Sequence, residues 1–187
     1  MTILSDHTIV SRVQLYAEAP DMMSGLGIKP FVEKQKQAMG MSYGLGPAGY
    51  DIRLGLIDRK APAGSPNDNG IGNLTSWNVM PGEFILLASL EWMRIPHDVV
   101  GKVCDKSTLA RQGLALQNTV LEPGWEGYIT LELSNHGDKP IQIRVGQPIA
   151  QVVFHLMDRH TGQPYKGKYQ NQSQQPTQAI FKEDNHG

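Results

Sequence analysis

The chain has 187 residues, enough to bury a core as one domain, and 40% of them are apolar against 19% charged, which is a globular rather than a disordered composition. A net charge of −1 argues against the basic face that general DNA or RNA binding requires. One cysteine, Cys104, makes neither an internal disulfide nor a Cys-rich zinc site, and Met1-Thr2-Ile3-Leu4-Ser5-Asp6 has neither part of a signal peptide. With no apolar run of bilayer-spanning length, the expectation is a cytoplasmic protein with no membrane partner.

Ser5-Asp6 reads as a helix start, and Ile9, Val13, Tyr16 and Ala17 recur at helical spacing up to Pro20, so one N-terminal helix is predicted. From Gly40 to Gly82 the chain is rich in Gly, Pro and Asn, including Gly64-Ser65-Pro66-Asn67-Asp68-Asn69-Gly70. This stretch reads as a long exposed loop holding short strand-like pieces such as Tyr50-Asp51-Ile52-Arg53-Leu54. After Pro81-Gly82, Phe84 to Leu87 is a fully apolar strand. Ile129, Leu131 and Leu133 then alternate with Tyr128, Thr130, Glu132 and Ser134, and Ile141, Ile143 and Val145 with Gln142 and Arg144. Period-two patterning broken by turns predicts a mostly β barrel or sandwich. From Asp158 onward the chain is polar, a single domain's tail that is mobile or orders only on binding.

Three stretches carry candidate chemistry. In Lys106-Ser107-Thr108-Leu109-Ala110-Arg111-Gln112-Gly113, Ser107 and Thr108 can cap a short helix that Gly113 ends, with Ser107 and Arg111 on one face. Free N–H groups there, beside Lys106 and Arg111, suit an anion; the same pattern also fits a capped surface turn. In the strand after Pro123-Gly124, Glu132 points away from the core. It is either a solvated surface carboxylate or the wall of a closed pocket, where burial would suit it to proton transfer. The tail segment Pro164-Tyr165-Lys166-Gly167-Lys168-Tyr169-Gln170-Asn171-Gln172 interleaves aromatic, cationic and amide groups, the parts of a lid over a nucleotide as well as of a disordered terminus. The six histidines show no metal-ligand spacing, His155 falls within a strand pattern, and neither a P-loop nor a Gly-x-Ser-x-Gly elbow occurs.

Taken in order, these pieces resemble the dCTP deaminase branch of the dUTPase superfamily. The resemblance runs through Ser5-Asp6, Gly49-Tyr50-Asp51-Ile52-Arg53-Leu54-Gly55, Lys106 to Arg111, and Pro123-Gly124-Trp125-Glu126-Gly127 with Leu131-Glu132-Leu133-Ser134-Asn135. It continues through Ile149-Ala150-Gln151, Tyr165 and Lys168-Tyr169-Gln170-Asn171-Gln172. It implies a mainly β fold, a distorted barrel or jelly roll (β-clip) with a short N-terminal helix and a flexible C-terminal tail, assembled as a homotrimer with sites between subunits. It further implies conversion of dCTP to dUTP and ammonia without zinc, with Mg²⁺ carried by the triphosphate and no protein side chain ligating a metal. By the same resemblance Glu132 would be the acid/base residue, Ser107 would fix the water and Arg111 would balance charge. Lys106, Ser107, Thr108, Leu109, Ala110 and Arg111 would line the substrate with Glu122, Thr130 and Leu131. Gln151, Tyr165, Lys168 and Gln172 would close over the triphosphate. Two departures stand out: relatives usually carry Asp where this chain has Glu122, and the Leu114–Leu121 arm is a couple of residues short. The alternatives are a dUTPase, an enzyme doing both reactions, and a non-catalytic nucleotide-binding regulator; plain dUTPases usually have an apolar residue at the position of Glu132.

Overall fold

The computed structural model describes residues 2–57 and 74–181. In chain order its elements are β1 (Thr2–Ile3), α1 (Asp6–Glu18), β2 (Gly27–Lys29), β3 (Lys36–Ala38), β4 (Met41–Gly46), β5 (Gly49–Leu56), β6 (Ser76–Val79) and β7 (Phe84–Arg94). They continue with β8 (Val99–Asp105), α2 (Ser107–Ala110), β9 (Leu114–Leu116), β10 (Val120–Leu121), β11 (Glu126–Asn135), β12 (Ile141–Arg144) and β13 (Pro148–Leu156). One sheet runs β10-β8-β13-β5-β7-β11-β9, with β1 added to β13, β2 to β7 and β4 to β5, and it curls into a half-barrel; β6 and β12 form a separate pair. The expected mainly β fold is what the chain adopts.

The strand-like piece from Tyr50 to Leu54 falls within β5, but the long exposed loop read between Gly40 and Gly82 needs correcting: among its described residues the stretch carries β4, β5 and β6. Its stretch from Gly64 to Gly70 lies outside the described residues. Tyr50, Ile52 and Leu54 of β5 are completely buried between β13 and β7, so the strand is central to the sheet. Gly40 and Gly82 do lie in turns, but Gly55 serves close strand contact instead. A Cβ on Gly55 would sit 2.4 Å from the Ser89 carbonyl oxygen, where β5 and β7 shift register between Leu54 and Leu56. β7 likewise runs well past the apolar Phe84–Leu87 stretch. Its polar interior is satisfied: Ser89 Oγ donates to the Glu91 carbonyl at 2.7 Å and accepts from Ile129 N–H at 2.8 Å. Glu91, fully buried, accepts from both N–H and Nε–H of Arg53 at 2.7 Å each, although burial still raises its carboxyl above the ordinary range.

The N-terminal helix starts where expected. Ser5 caps α1 by accepting from Thr8 N–H, Ile9 is fully buried, and Tyr16 stacks on Trp92 of β7. Arg12 fastens the helix to the turn before β8 through two bonds to the Asp98 carboxylate, at 2.8 and 2.9 Å. Burial alone would raise the Asp98 carboxyl, but the bonds and charge of Arg12 outweigh it and hold the group below the ordinary aspartate range. The ionised form therefore stabilises the fold above that range, and the contribution is lost as pH falls through the lower folded value. Asp98→Asn should cost about 2–3 kcal/mol at neutral pH in urea unfolding. The gap to the parent chain should close in acid, below the folded value; a gap independent of pH would refute the pairing's role.

Candidate active site

β11 builds the site because its two faces meet different surroundings. Ile129, Leu131 and Leu133 are buried in the core, while Tyr128, Thr130 and Glu132 on the opposite face are half-buried. A cavity of about 560 Å³ lies against that outer face. Thr130 and Glu132 line it together with Phe84 and Leu86 of β7, the run from Asn118 to Glu122, and Trp125. The tail closes the remaining side with Tyr165, Tyr169, Gln172 and Thr177 to Ala179. Two carboxylates, Glu122 and Glu132, face this cavity, and among its described lining residues there is no Lys, Arg or His.

Glu132 is fixed by its backbone. Its N–H donates to Asn118 Oδ1 at 3.0 Å and its carbonyl accepts from Gln117 N–H at 2.9 Å, while Asn118 Nδ2 donates to the Thr130 carbonyl at 2.7 Å. Burial raises the Glu132 carboxyl above the ordinary glutamate range.

The tail has no helix or strand of its own through Phe181 beyond one isolated bridge, yet it is tied to the sheet end by many bonds. Tyr165 N–H donates to the Pro123 carbonyl at 2.8 Å and Asn171 N–H to the Glu126 carbonyl at 2.9 Å. Tyr128 N–H donates to the Gln172 carbonyl at 3.0 Å, and Trp125 Nε1–H to the Tyr169 carbonyl at 2.7 Å. Gly127 permits this seam: a Cβ there would meet Gln172 N at 2.6 Å.

A dCTP deaminase-like family profile matches residues 3–157. The dCTP deaminase of Anaplasma marginale (strain Florida) is 35% identical over 161 residues, covering 78% of this chain and 85% of its own. That of Helicobacter pylori (strain P12) is 38% identical over 160 residues, again covering 78% and 85%. This chain belongs to the dCTP deaminase-like family. Two solved structures share the fold at low identity. A 2'-deoxycytidine 5'-triphosphate deaminase from Agrobacterium tumefaciens has a TM-score of 0.54 at 20% identity, over 82% of this chain and 48% of that one. A native EIAV dUTPase has a TM-score of 0.50 at 18% identity, over 76% and 98%.

Of the residues that the family resemblance singled out, Glu122, Thr130, Glu132, Tyr165 and Gln172 come together at the cavity. Leu109 and Leu131 turn their side chains into the core, so only their backbones can meet a ligand. Ser107, Thr108, Ala110 and Arg111 sit exposed on α2, away from the cavity of the same chain, and Gln151 is half-buried on β13. Lys168 lies in the tail, over the rings of Tyr169 and Phe181. Two expectations for the α2 segment need correcting. Lys106 takes the cap position, and neither Ser107 nor Thr108 caps the turn, because both already lie inside it. Lys106 is also no free cation: its Nζ donates to Asp51 Oδ2 at 2.5 Å and to Ser42 Oγ at 2.9 Å. Gly113, at φ +98°, ends the segment as expected. Asn118, Phe84, Leu86 and Thr177 were not legible as site residues, since none belongs to a chemical motif.

Removing residues from Tyr165 onward should leave the sheet intact by far-UV circular dichroism. It should also expose Trp125 and shift its fluorescence to the red, because the tail supplies the indole's hydrogen-bond acceptor. An unchanged emission maximum would show that the tail does not cover Trp125 in solution.

Proposed function

We propose that this chain hydrolyses dCTP to dUTP and ammonia without zinc, with Glu132 as the group that moves protons. The observation that carries the reading is Glu132 itself: a half-buried carboxylate on a cavity wall, raised by desolvation, with no cation among the cavity's described lining residues. In the reaction the Glu132 carboxylate takes a proton from water as the water oxygen bonds to C4 of the cytosine ring, and returns that proton to ring N3. The second water proton travels by the same carboxylate to the amino group, which leaves as ammonia while C4 becomes a carbonyl. A position for the water and a dry, preorganised carboxylate supply the activation. Cys104 lies on β8 and is not among the cavity's lining residues. Among the described residues no group of three or more His, Cys, Asp and Glu side chains is placed to hold a metal. Mg²⁺ would be held by the nucleotide rather than by protein side chains, and it would supply neutralisation of the triphosphate's charge.

The described lining residues, with two carboxylates and no cation, leave the triphosphate's charge to be met from elsewhere. The exposed Ser107 and Arg111, off the cavity of their own chain, support a homotrimer in which α2 of a neighbouring subunit completes each site. Within the chain Tyr165 and Gln172 close the site, with Lys168 turning toward phosphate when nucleotide binds. No helix among the described residues is long and apolar enough to cross a membrane.

Glu132→Gln should abolish formation of dUTP from dCTP while calorimetry still detects dCTP–Mg²⁺ binding. Near-normal turnover, or dUMP as the sole product from dUTP with dCTP untouched, would overturn the reading. Co-expressing Glu132→Gln and Arg111→Ala chains should restore activity that neither variant shows alone, since mixed oligomers contain sites with both residues intact. Inactive mixed oligomers would confine the site to one chain.

A further inference from the structure

We propose that Asn118 is a positioning residue for Glu132, its side-chain amide standing in for the missing backbone of a neighbouring strand. The β9–β11 ladder stops at the Leu116–Leu133 pair. One residue on, Gln117 N–H still reaches the Glu132 carbonyl at 2.9 Å, and then the shortened arm turns away toward β10. Without a partner, Glu132 N–H and the Thr130 carbonyl would be left open at the cavity edge. The Asn118 carboxamide fills that gap with an acceptor for Glu132 N–H at 3.0 Å and a donor for the Thr130 carbonyl at 2.7 Å, the pairing a peptide unit would make. Leu86 of β7 pairs with Glu132 across the other edge of β11, so the carboxylate-bearing residue is held from both sides. Asn118 also lines the cavity, so its loss would admit water next to Glu132. A side chain that holds the acid/base residue in register and keeps it dry acts on the chemical step rather than on substrate affinity.

This inference rests on Glu132 being the proton carrier, and the test separates the two. In Asn118→Ala, kcat for dCTP should fall roughly 10- to 100-fold with KM changed far less. Because burial is what raises Glu132, admitting water should move the acid limb of the kcat profile to lower pH. Asn118→Asp keeps the acceptor for Glu132 N–H but loses the donor to Thr130. Its added negative charge, joining Glu122 as the other carboxylate facing the cavity, should move the acid limb to higher pH. Tyr165 and Tyr169 also face the cavity, while His136 lies off it and connects to the Glu132 backbone through Ser134 and Gln117. Hydrogen exchange at the Glu132 backbone amide gives a readout that needs no turnover, and it should speed up in Asn118→Ala. If Glu132→Gln is inactive while Asn118→Ala keeps parental kcat, acid limb and amide protection, the positioning role is wrong and the proton carrier stands. If Glu132→Gln remains active, both fall together.

Discussion

Everything at the site depends on keeping one carboxylate half out of water on a strand that cannot move. A glutamate in solvent prefers to be ionised and hydrated, which makes it a weak base near neutral pH. β11 opposes that preference by placing Ile129, Leu131 and Leu133 in the core on one face and Glu132 in the cavity on the other. The strand cannot turn Glu132 toward bulk solvent without pulling three large apolar side chains out of the interior. Burying each such side chain contributes about 1.5–3 kcal/mol, which outweighs the cost of a carboxyl raised by partial desolvation. The fold thus supplies the energy that holds the Glu132 carboxylate in an unfavourable place.

Much of this was legible in the sequence because β11 obeys a local rule. Its period-two alternation separates Glu132 from the core residues without any structural knowledge, and the Ser5-Asp6 helix start is equally local. The rest depended on partners distant in sequence. Lys106 is neutralised by Asp51 and Ser42, 55 and 64 residues away, so no reading of the Lys106–Gly113 segment alone finds its pairing. β7 continues past Leu87 because Arg53 and Ile129 satisfy Glu91 and Ser89, groups that hydrophobic patterning treats as breaks. Asn118 belongs to no motif, and its meaning appears only where a ladder ends.

The division of labour between surfaces follows from charge. The described cavity lining carries two carboxylates and no cation, whereas Ser107 on α2 and Arg111 at its C-cap stand exposed. Within one chain Arg111 lies off the cavity, so it makes no ion pair that would pull the Glu132 carboxyl down. Tight pairing of Lys106 with Asp51 has the same effect on a second cation, and it also joins β5 to the start of α2.

The seam between tail and sheet is made largely of main-chain groups, at Pro123, Glu126, Gly127 and Tyr128 on one side and Tyr165, Asn171 and Gln172 on the other. Such a seam reads spacing rather than side-chain identity. Evolution can therefore exchange an exposed residue such as Lys166 with little penalty, whereas Asn171, at φ +59°, is held by its left-handed backbone. A single inserted or deleted residue between the anchors at Tyr165 and Gln172 would instead carry Tyr169 off the Trp125 indole and Gln172 off Gly127 together. The tail of this protein should drift in composition while staying fixed in length.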